Sequence, residues 1–340
     1  MEPCLKKIEK LVNVARVKIE ETVAENQLPP PKKGGGLYFG APKDDLQFIP
    51  SGCRMLDLAL GGGWARRRIA NIVGDSSTGK TLLAIEASAN FVIVEPKAKI
   101  RYREAEEAFD NNYAAALGFP LEKVDFGDPL DTIEDMFEDL QKVIKGAKGP
   151  ELYVVDSLDA LSDRAEMERD IDQGSYGGDK AKKLSQLFRR CVSDLANSDI
   201  TLMIISQVRD NIGAMPFQKK HVRSGGKALN FYSSQVAWLS QIKKLDRTVS
   251  NVKRITGVQV KAVIEKNKIG LPYREAEFPV MFGYGIDDFK SCAEFWKQIT
   301  GELVSSKTTS LQDLQRMVTD EWWAIENKFL PKESKYNIGV

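Results

Sequence analysis

Gly74-Asp75-Ser76-Ser77-Thr78-Gly79-Lys80-Thr81 fits the phosphate-binding pattern G-x-x-x-x-G-K-[ST] without a mismatch. Arg68-Ile69-Ala70-Asn71-Ile72-Val73 before it reads as a short strand. Leu82, Leu83, Ile85, Ala87 and Ala89 after it read as a mainly apolar helix. Strand, glycine-bearing loop and helix in that order are the setting in which such a loop cradles phosphate. Glycine puts nothing at Cβ to block the backbone from wrapping onto phosphate oxygens. The loop N–H groups and the start of the helix then face the anion. In that role Lys80 reaches the β- and γ-phosphates, and the Thr81 hydroxyl ligates Mg²⁺.

Outward from the loop, short apolar runs alternate with amphipathic ones. Glu151-Leu152-Tyr153-Val154-Val155-Asp156 and Thr201-Leu202-Met203-Ile204-Ile205-Ser206-Gln207 read as buried strands. Lys99-Ile100-Arg101-Tyr102-Arg103 alternates as a strand and runs into Glu104-Ala105-Glu106-Glu107. Residues 130–145 carry Leu130, Ile133, Met136, Phe137, Leu140, Val143 and Ile144 on one helical face. Leu184, Leu187, Phe188, Cys191, Val192 and Leu195 mark a second such face. Strands alternating with helices predict an α/β fold with a mainly parallel sheet flanked by helices. Ligands bind such sheets at the carboxyl ends of the strands. Gly74, Glu106, Asp156 and Gln207 are all expected there.

Those positions carry the chemistry of nucleotide hydrolysis. Asp156 suits the Mg²⁺ carboxylate of an NTPase, acting through water or through the Thr81 hydroxyl. An Asp after a strand is also a common helix N-cap. A carboxylate on the neighbouring strand end can orient and deprotonate an attacking water. Glu104, Glu106 and Glu107 all qualify by spacing. Gln207 can sense a γ-phosphate by hydrogen bonding, or is an ordinary polar strand end. From Asn211 through Leu245 there is no Asp or Glu, while Lys219, Lys220, Arg223, Lys227, Lys243 and Lys244 fall in that span. Met215 and Phe217 lie among the basic residues, with Gly213, Gly225 and Gly226. A basic loop with apolar wedges suits a phosphate backbone and its bases. The bland alternative is a solvated charged face.

Composition excludes several classes. The 340 residues are 42% hydrophobic and 29% charged, with a formal net charge of +1. No apolar run approaches the roughly 20 residues that span a bilayer, and no secretory h-region is visible. The expectation is a cytoplasmic protein without a membrane partner. Cys4, Cys53, Cys191 and Cys292 are scattered and read as free thiols. His221 is the single histidine, which excludes a metal site built from two or more histidines. Residues 1–28 hold an amphipathic helix with Leu5, Ile8, Leu11, Val12, Ala15, Ile19 and Val23, suited to packing on its own domain or on a neighbouring protomer. Residues 29–47, with Pro29-Pro30-Pro31 and Gly34-Gly35-Gly36, read as a linker. Residues 48–288 are the expected core, and residues 289–340 a small helical region. In that region Trp322-Trp323 suits either core packing or an aromatic platform for DNA.

From about Ser51 to Asp288 the chain resembles the RecA recombinase family, including its phage UvsX-type members. The resemblance runs through Ser51-Gly52, Leu56-Asp57-Leu58, the phosphate loop, Glu104-Ala105-Glu106, Val154-Val155-Asp156-Ser157, Ser206-Gln207-Val208-Arg209, Gly225-Gly226-Lys227, Lys266-Asn267-Lys268 and Gly283-Tyr284-Gly285-Ile286. It implies a RecA-type NTPase core that uses ATP and Mg²⁺, with Glu106 as the catalytic glutamate. It implies adenine contacts from Asp110 and Tyr113, the Tyr113 ring stacking on the base. Gln207 becomes the link between the γ-phosphate and a DNA loop, and Lys266 and Lys268 reach a neighbour's ATP. Lys182, Arg189, Arg209, Met215, Phe217, Lys219, Lys220, Arg223, Gly225, Gly226 and Lys227 fall where the family meets DNA. The implied activity is DNA-dependent ATP hydrolysis by a homo-oligomeric helical filament on single-stranded DNA. That filament pairs with duplex DNA for strand exchange, and single-strand-binding and mediator proteins are the implied partners. A RecA-fold hexameric helicase and a non-catalytic nucleotide-gated filament or mediator are the alternatives. Two departures stand out: Arg101 and Arg103 lie in a strand where the family is apolar, and residues 166–178 are acidic. The arginines imply either pairing with nearby acids or a shallower strand.

Overall fold

The computed structural model describes residues 46–106, 109–167, 177–210, 221–223 and 226–330. The expected amino-terminal helix and nearly all of the linker lie outside them. Contacts divide the chain into a unit spanning Gln47–Ser291 and a second that includes Cys292–Val340.

The first unit opens with strand β1 (Phe48–Ile49), helix α1 (Arg54–Leu60) and β2 (Trp64–Ala65), followed by β3 (Ile69–Gly74) and α2 (Lys80–Val94). Next come β4 (Lys99–Glu104), the short α3 (Asn111–Ala116), β5 (Val124–Asp125), α4 (Ile133–Gly146) and β6 (Glu151–Asp156). The chain continues through α5 (Arg164–Met167), α6 (Gly177–Asn197), β7 (Ile200–Asp210), β8 (His221–Arg223) and α7 (Gly226–Tyr232). It closes with β9 (Gln235–Val249), β10 (Val252–Asn267), β11 (Glu275–Met281), β12 (Gly285–Ile286) and the start of α8 (Asp288–Thr300). Among the described residues the main sheet has ten strands, in the order β12-β11-β10-β9-β3-β7-β6-β4-β5 with β8 paired to β7. Strands β9, β3, β7, β6, β4 and β5 run parallel, and β10 to β12 add antiparallel. The expected α/β class holds.

Every residue of β3 and β6 is buried, as central strands covered on both faces require. One face packs against α4 and α6, with Ile133, Met136 and Leu140 meeting Tyr153, Val155, Leu202, Ile204 and Phe188. The α4 N-terminus is capped by Thr132, whose Oγ1 accepts from the Asp135 N–H at 3.1 Å. Glu134 and Asp135 in the first turn complement the positive helix end.

The two arginines of β4 pair with acids, and the strand is not shallow. Arg103 is 3% exposed. Its Nε donates to Asp139 Oδ2 at 2.6 Å, and it donates again to the Asp125 carbonyl at 2.7 Å. The guanidinium lies 5.4 Å from the centre of the Tyr153 ring, and the Tyr153 hydroxyl donates to the same Asp139 oxygen at 2.7 Å. Arg101 donates to Glu151 at 2.7 Å and also pairs with Asp125. A buried charge is tolerated when its donors are met by carboxylates in this way. Gly127 closes over the network at φ +64°, and a Cβ there would lie 2.5 Å from the Arg103 guanidinium carbon.

Strands β9 and β10 form a long hairpin that turns at Ser250 and Asn251, both at positive φ (49° and 63°), the two-residue turn that suits the strand twist. Lys243 and Lys244 lie on this hairpin, paired with Gln259 and Val258.

In the second unit the described residues are Leu46 and the stretch from Cys292 to Leu330. They contain the remainder of α8 and helix α9 (Leu311–Phe329). Phe295 and Trp322 pack with ring centroids 5.8 Å apart, and Leu314 and Val318 are fully buried. Among the described residues no helix is long and apolar enough to cross a membrane.

Candidate active site

Sheet register lines up the chemistry. Gly74 ends β3 opposite Gln207 on β7, and Glu104 ends β4 opposite Asp156 on β6. Because β3, β7, β6 and β4 are consecutive in the sheet, these residues form one row across its carboxyl edge. Gln207 is not the end of its strand, as the sequence suggested. β7 continues to Asp210 and pairs antiparallel with β8, Val208 opposite Arg223. The last parallel pairing with β3 stops at Gln207, so a single strand carries the candidate site edge and runs on toward the basic segment of the sequence.

The phosphate loop turns through Ser77 at φ 59° and Gly79 at φ 86°, and α2 begins at Lys80. Gly74 is required by space: a Cβ there would meet Thr78 Oγ1 at 2.6 Å and the Leu239 carbonyl at 3.1 Å. Thr78 Oγ1 donates to the Asp75 carbonyl at 2.8 Å, and Lys80 Nζ donates to the same oxygen at 2.7 Å, folding the amine over the loop. Burial lowers the Lys80 pKa, and the Asp156 and Glu106 carboxylates oppose that shift.

Thr81 and Asp156 come together as the sequence anticipated: Thr81 Oγ1 donates to Asp156 Oδ2 at 2.8 Å. Asp156 is 6% exposed, and it caps no helix. Burial raises its pKa, the Tyr102 and Thr81 hydroxyls pull it down, and Glu106 and Glu104 push it up. A buried carboxylate among like charges beside a hydroxyl has the donor set and the charge deficit that a hard cation relieves. Among the described residues no group of three or more metal-ligating side chains occurs. The Thr81 hydroxyl and the Asp156 carboxylate fit Mg²⁺, which keeps its waters and binds through few protein ligands plus phosphate.

Glu106 and Gln207 also converge. Gln207 Nε2 donates to Glu106 Oε1 at 2.8 Å, and the Ser157 hydroxyl donates to the same oxygen. The Gln207 backbone N–H donates to Asp159 Oδ2 at 2.6 Å. Glu104 instead accepts from the Glu106 N–H at 2.9 Å, which shapes the turn. Glu107 lies outside the described residues.

Asp110 caps α3, its Oδ1 accepting from the Asn112 and Tyr113 N–H groups at 2.8 and 3.1 Å. Tyr113 is 40% exposed on that helix. Burial raises the pKa of Tyr113 and of Tyr284, and the charge of Glu86 on α2 adds to both shifts, after Asp287 in the case of Tyr284. Glu86 Oε1 accepts from the Ile286 N–H at 3.3 Å, and a Cβ on Gly285 would lie 2.4 Å from it. Burial pushes the Glu86 carboxyl from 4.5 to about 7, with Asp288 adding to the shift. Because the folded pKa lies above the unfolded one, the folded state binds the extra proton, and stability falls as pH rises from about 4.5 to about 7. Glu86→Gln is expected to stabilise the protein at pH 8 by about 1–2 kcal/mol. The gain should vanish below pH 4.5, as thermal melts across pH will show; a constant difference at every pH refutes the linkage.

Lys266 and Lys268 are not brought to the phosphate loop of their own chain. Lys266 pairs with Val236, and Val236 with Asn71, toward the amino end of β3. Lys266 donates to the Asn230 and Phe231 carbonyls and Lys268 to the Phe231 carbonyl at 3.2 Å, holding the carboxyl end of α7. Their amines lie 6.0 and 5.9 Å from the centre of the Phe231 ring, which is 69% exposed. On α6, Arg189 donates to the Tyr232 hydroxyl at 3.4 Å, and Lys182 is on the same helix. Arg209 and Arg223 are placed by the β7–β8 pairing, and Gly226 and Lys227 open α7. Met215, Phe217, Lys219, Lys220 and Gly225 lie outside the described residues, as does most of the acidic stretch at 166–178.

Sequence reading missed Ser157, Asp159, Tyr102 and Glu86. Ser157 and Asp159 directly follow Asp156, so their nearness to the site was a visible signal. Tyr102 and Glu86 gave none, since their partners are distant in sequence.

Residues 33–287 match the family described as the RecA N-terminal domain. Among curated relatives, Protein RecA of Nostoc punctiforme is 35% identical over 256 residues, covering 75% of this chain and 68% of that protein. Protein RecA of Synechococcus sp. (strain CC9902) is 33% identical over 256 residues, covering 75% of this chain and 65% of that protein. The chain thus spans about 65% of the length of the first curated relatives it matches. Of the solved structures, the RadB recombinase superposes with a TM-score of 0.52 at 20% identity, covering 70% of this chain and 98% of its own; this likeness concerns the fold.

Proposed function

The chain belongs to the RecA family, and from that membership we propose that it is a DNA-dependent ATPase acting as a recombinase filament on single-stranded DNA. The observation that carries this reading is the Gln207–Glu106 hydrogen bond of 2.8 Å. It ties the carboxylate suited to activate water to the strand that leads into the acid-free basic segment. When bound, ATP with Mg²⁺ supplies the scissile phosphoanhydride and the charge neutralisation. Thr81 and Asp156 would hold the metal, the loop from Gly74 to Lys80 would wrap the phosphates, and Tyr113 would face the base.

Glu106 accepts the proton of the attacking water. Ser157 and Gln207 both donate to Glu106 Oε1, which fixes the carboxylate's direction and lowers the reorganisation needed to act as base. Occupancy of the γ-phosphate position competes for the Gln207 amide, so nucleotide state biases the β7–β8 ribbon and with it DNA affinity. Lys266 and Lys268 lie away from their own phosphate loop, which supports a role across a protomer boundary, where cations stabilise charge on the transferring phosphate. Strand exchange on duplex DNA, and filament rather than ring assembly, rest on family membership.

The test is ATP hydrolysis with and without single-stranded DNA at fixed salt and Mg²⁺, since DNA affinity is salt-dependent. Stimulation of tenfold or more by single strands is the expected result. Binding of both ligands without stimulation refutes the reading and favours a non-catalytic, nucleotide-gated filament.

A further inference from the structure

Tyr102 lies in the middle of β4, fully buried. A buried tyrosine hydroxyl needs a partner, and this one has a particular partner. It donates to Asp156 Oδ2 at 2.8 Å, the same oxygen that accepts from Thr81 Oγ1 at 2.8 Å. Both hydroxyls are spent on Oδ2 rather than Oδ1. Two donors on one oxygen fix the rotation of the carboxyl group about its Cβ–Cγ bond and bias which oxygen faces outward. The Tyr102 ring is held as firmly as its hydroxyl. Its centroid lies 4.9 Å from Phe109, 5.6 Å from Phe119 in an edge contact, and 6.1 Å from Phe126. Phe109 immediately precedes Asp110, the cap of the helix that carries Tyr113. One residue therefore touches the carboxylate at the proposed metal position and the packing beneath the segment proposed to face the base.

We propose that Tyr102 is a positioning residue for Mg²⁺-nucleotide binding, holding Asp156 in the orientation that engages the hydrated metal. This rests on the nucleotide-site reading above. It adds to that reading a hydroxyl from a neighbouring strand that sets the affinity for the cation rather than for the nucleotide.

The experiment is a Mg²⁺ titration of the full chain with a fluorescent ATP analogue, read as binding and not as turnover. Parent, Tyr102→Phe and Phe119→Leu are compared, with thermal melts alongside. Tyr102→Phe keeps the ring and removes the donor. Its Mg²⁺ half-saturation is expected to rise about tenfold or more, with metal-free nucleotide affinity unchanged. Phe119→Leu loosens the same ring cluster but keeps the hydroxyl, so its melting point should fall while its Mg²⁺ requirement stays at the parental value. Introducing para-aminophenylalanine at position 102 retains an N–H donor and should restore the parental requirement. An unchanged half-saturation in folded Tyr102→Phe overturns the proposal, as does an equal shift in Phe119→Leu, which assigns the effect to packing. If Tyr102→Phe fails to fold, the para-aminophenylalanine variant decides: a parental Mg²⁺ requirement supports the proposal and a raised one overturns it. A parent that binds the nucleotide with no Mg²⁺ dependence rejects the nucleotide-site reading itself, a result distinct from all of these.

Discussion

Glu106→Gln is expected to reduce ATP hydrolysis by about 10²- to 10⁴-fold, the usual contribution of a positioned general base. Nucleotide and DNA binding should be retained. The substitution is nearly isosteric, and the amide oxygen can still accept from Gln207 and Ser157, which now meet on Glu106 Oε1. What is lost is the capacity to take a proton. Single-turnover hydrolysis, measured beside equilibrium nucleotide binding, separates the two effects. A variant that hydrolyses as fast as the parent removes Glu106 from the chemistry. Glu104 would not replace it, because its carboxylate is engaged by the Glu106 N–H at 2.9 Å.

Arg103→Met carries the largest expected effect on stability. The guanidinium is 3% exposed and meets Asp139, the Asp125 carbonyl and the Tyr153 ring. Removing it strands Asp139 beside the Tyr153 hydroxyl, whose pKa burial and Asp139 already raise. Removing one partner of a buried pair typically costs 3–5 kcal/mol; Asp139 is 26% exposed, so about 3 kcal/mol is expected here. The melting temperature should fall by on the order of 10 °C. Replacing Asp139 with leucine in the same chain should recover part of that loss, because the orphaned charge goes with it. Calorimetric or circular-dichroism melts of the single and double variants measure both terms. A single variant that melts with the parent would mean that Arg103 makes no net contribution to stability.

The two arginines also show where reading the sequence reached its limit. Arg101 and Arg103 left two outcomes open, a shallow strand or a paired one. Choosing between them required Asp125, Asp139 and Glu151, which come from other strands and a helix. Gln207 is a similar case. An apolar run ending in a polar residue looks like a strand end, yet β7 continues because β8 returns to pair with it. No local propensity encodes that pairing. Lys266 and Lys268 resembled a family motif, Lys-Asn-Lys, but only the pairing of β10 with β9 and of β9 with β3 placed them away from their own phosphate loop.

Contiguous chemistry was legible from the chain alone. The strand–loop–helix around Gly74 to Thr81, the alternation that predicts a parallel sheet and the buried run ending at Asp156 are all local patterns. Each constrains backbone and burial within a few residues, so the α/β architecture and the edge that bears the candidate site followed from them. Packing decided what residues far apart in sequence do to one another. Tyr102 reaches Asp156 across 54 residues, Gln207 reaches Glu106 across 101, and Glu86 meets Ile286 across 200. Which side chains share an oxygen at a sheet edge depends on strand order, on register and on the twist that aims each Cβ. These are properties of the assembled sheet, because each pairing is stabilised only when the burial of all the others is in place.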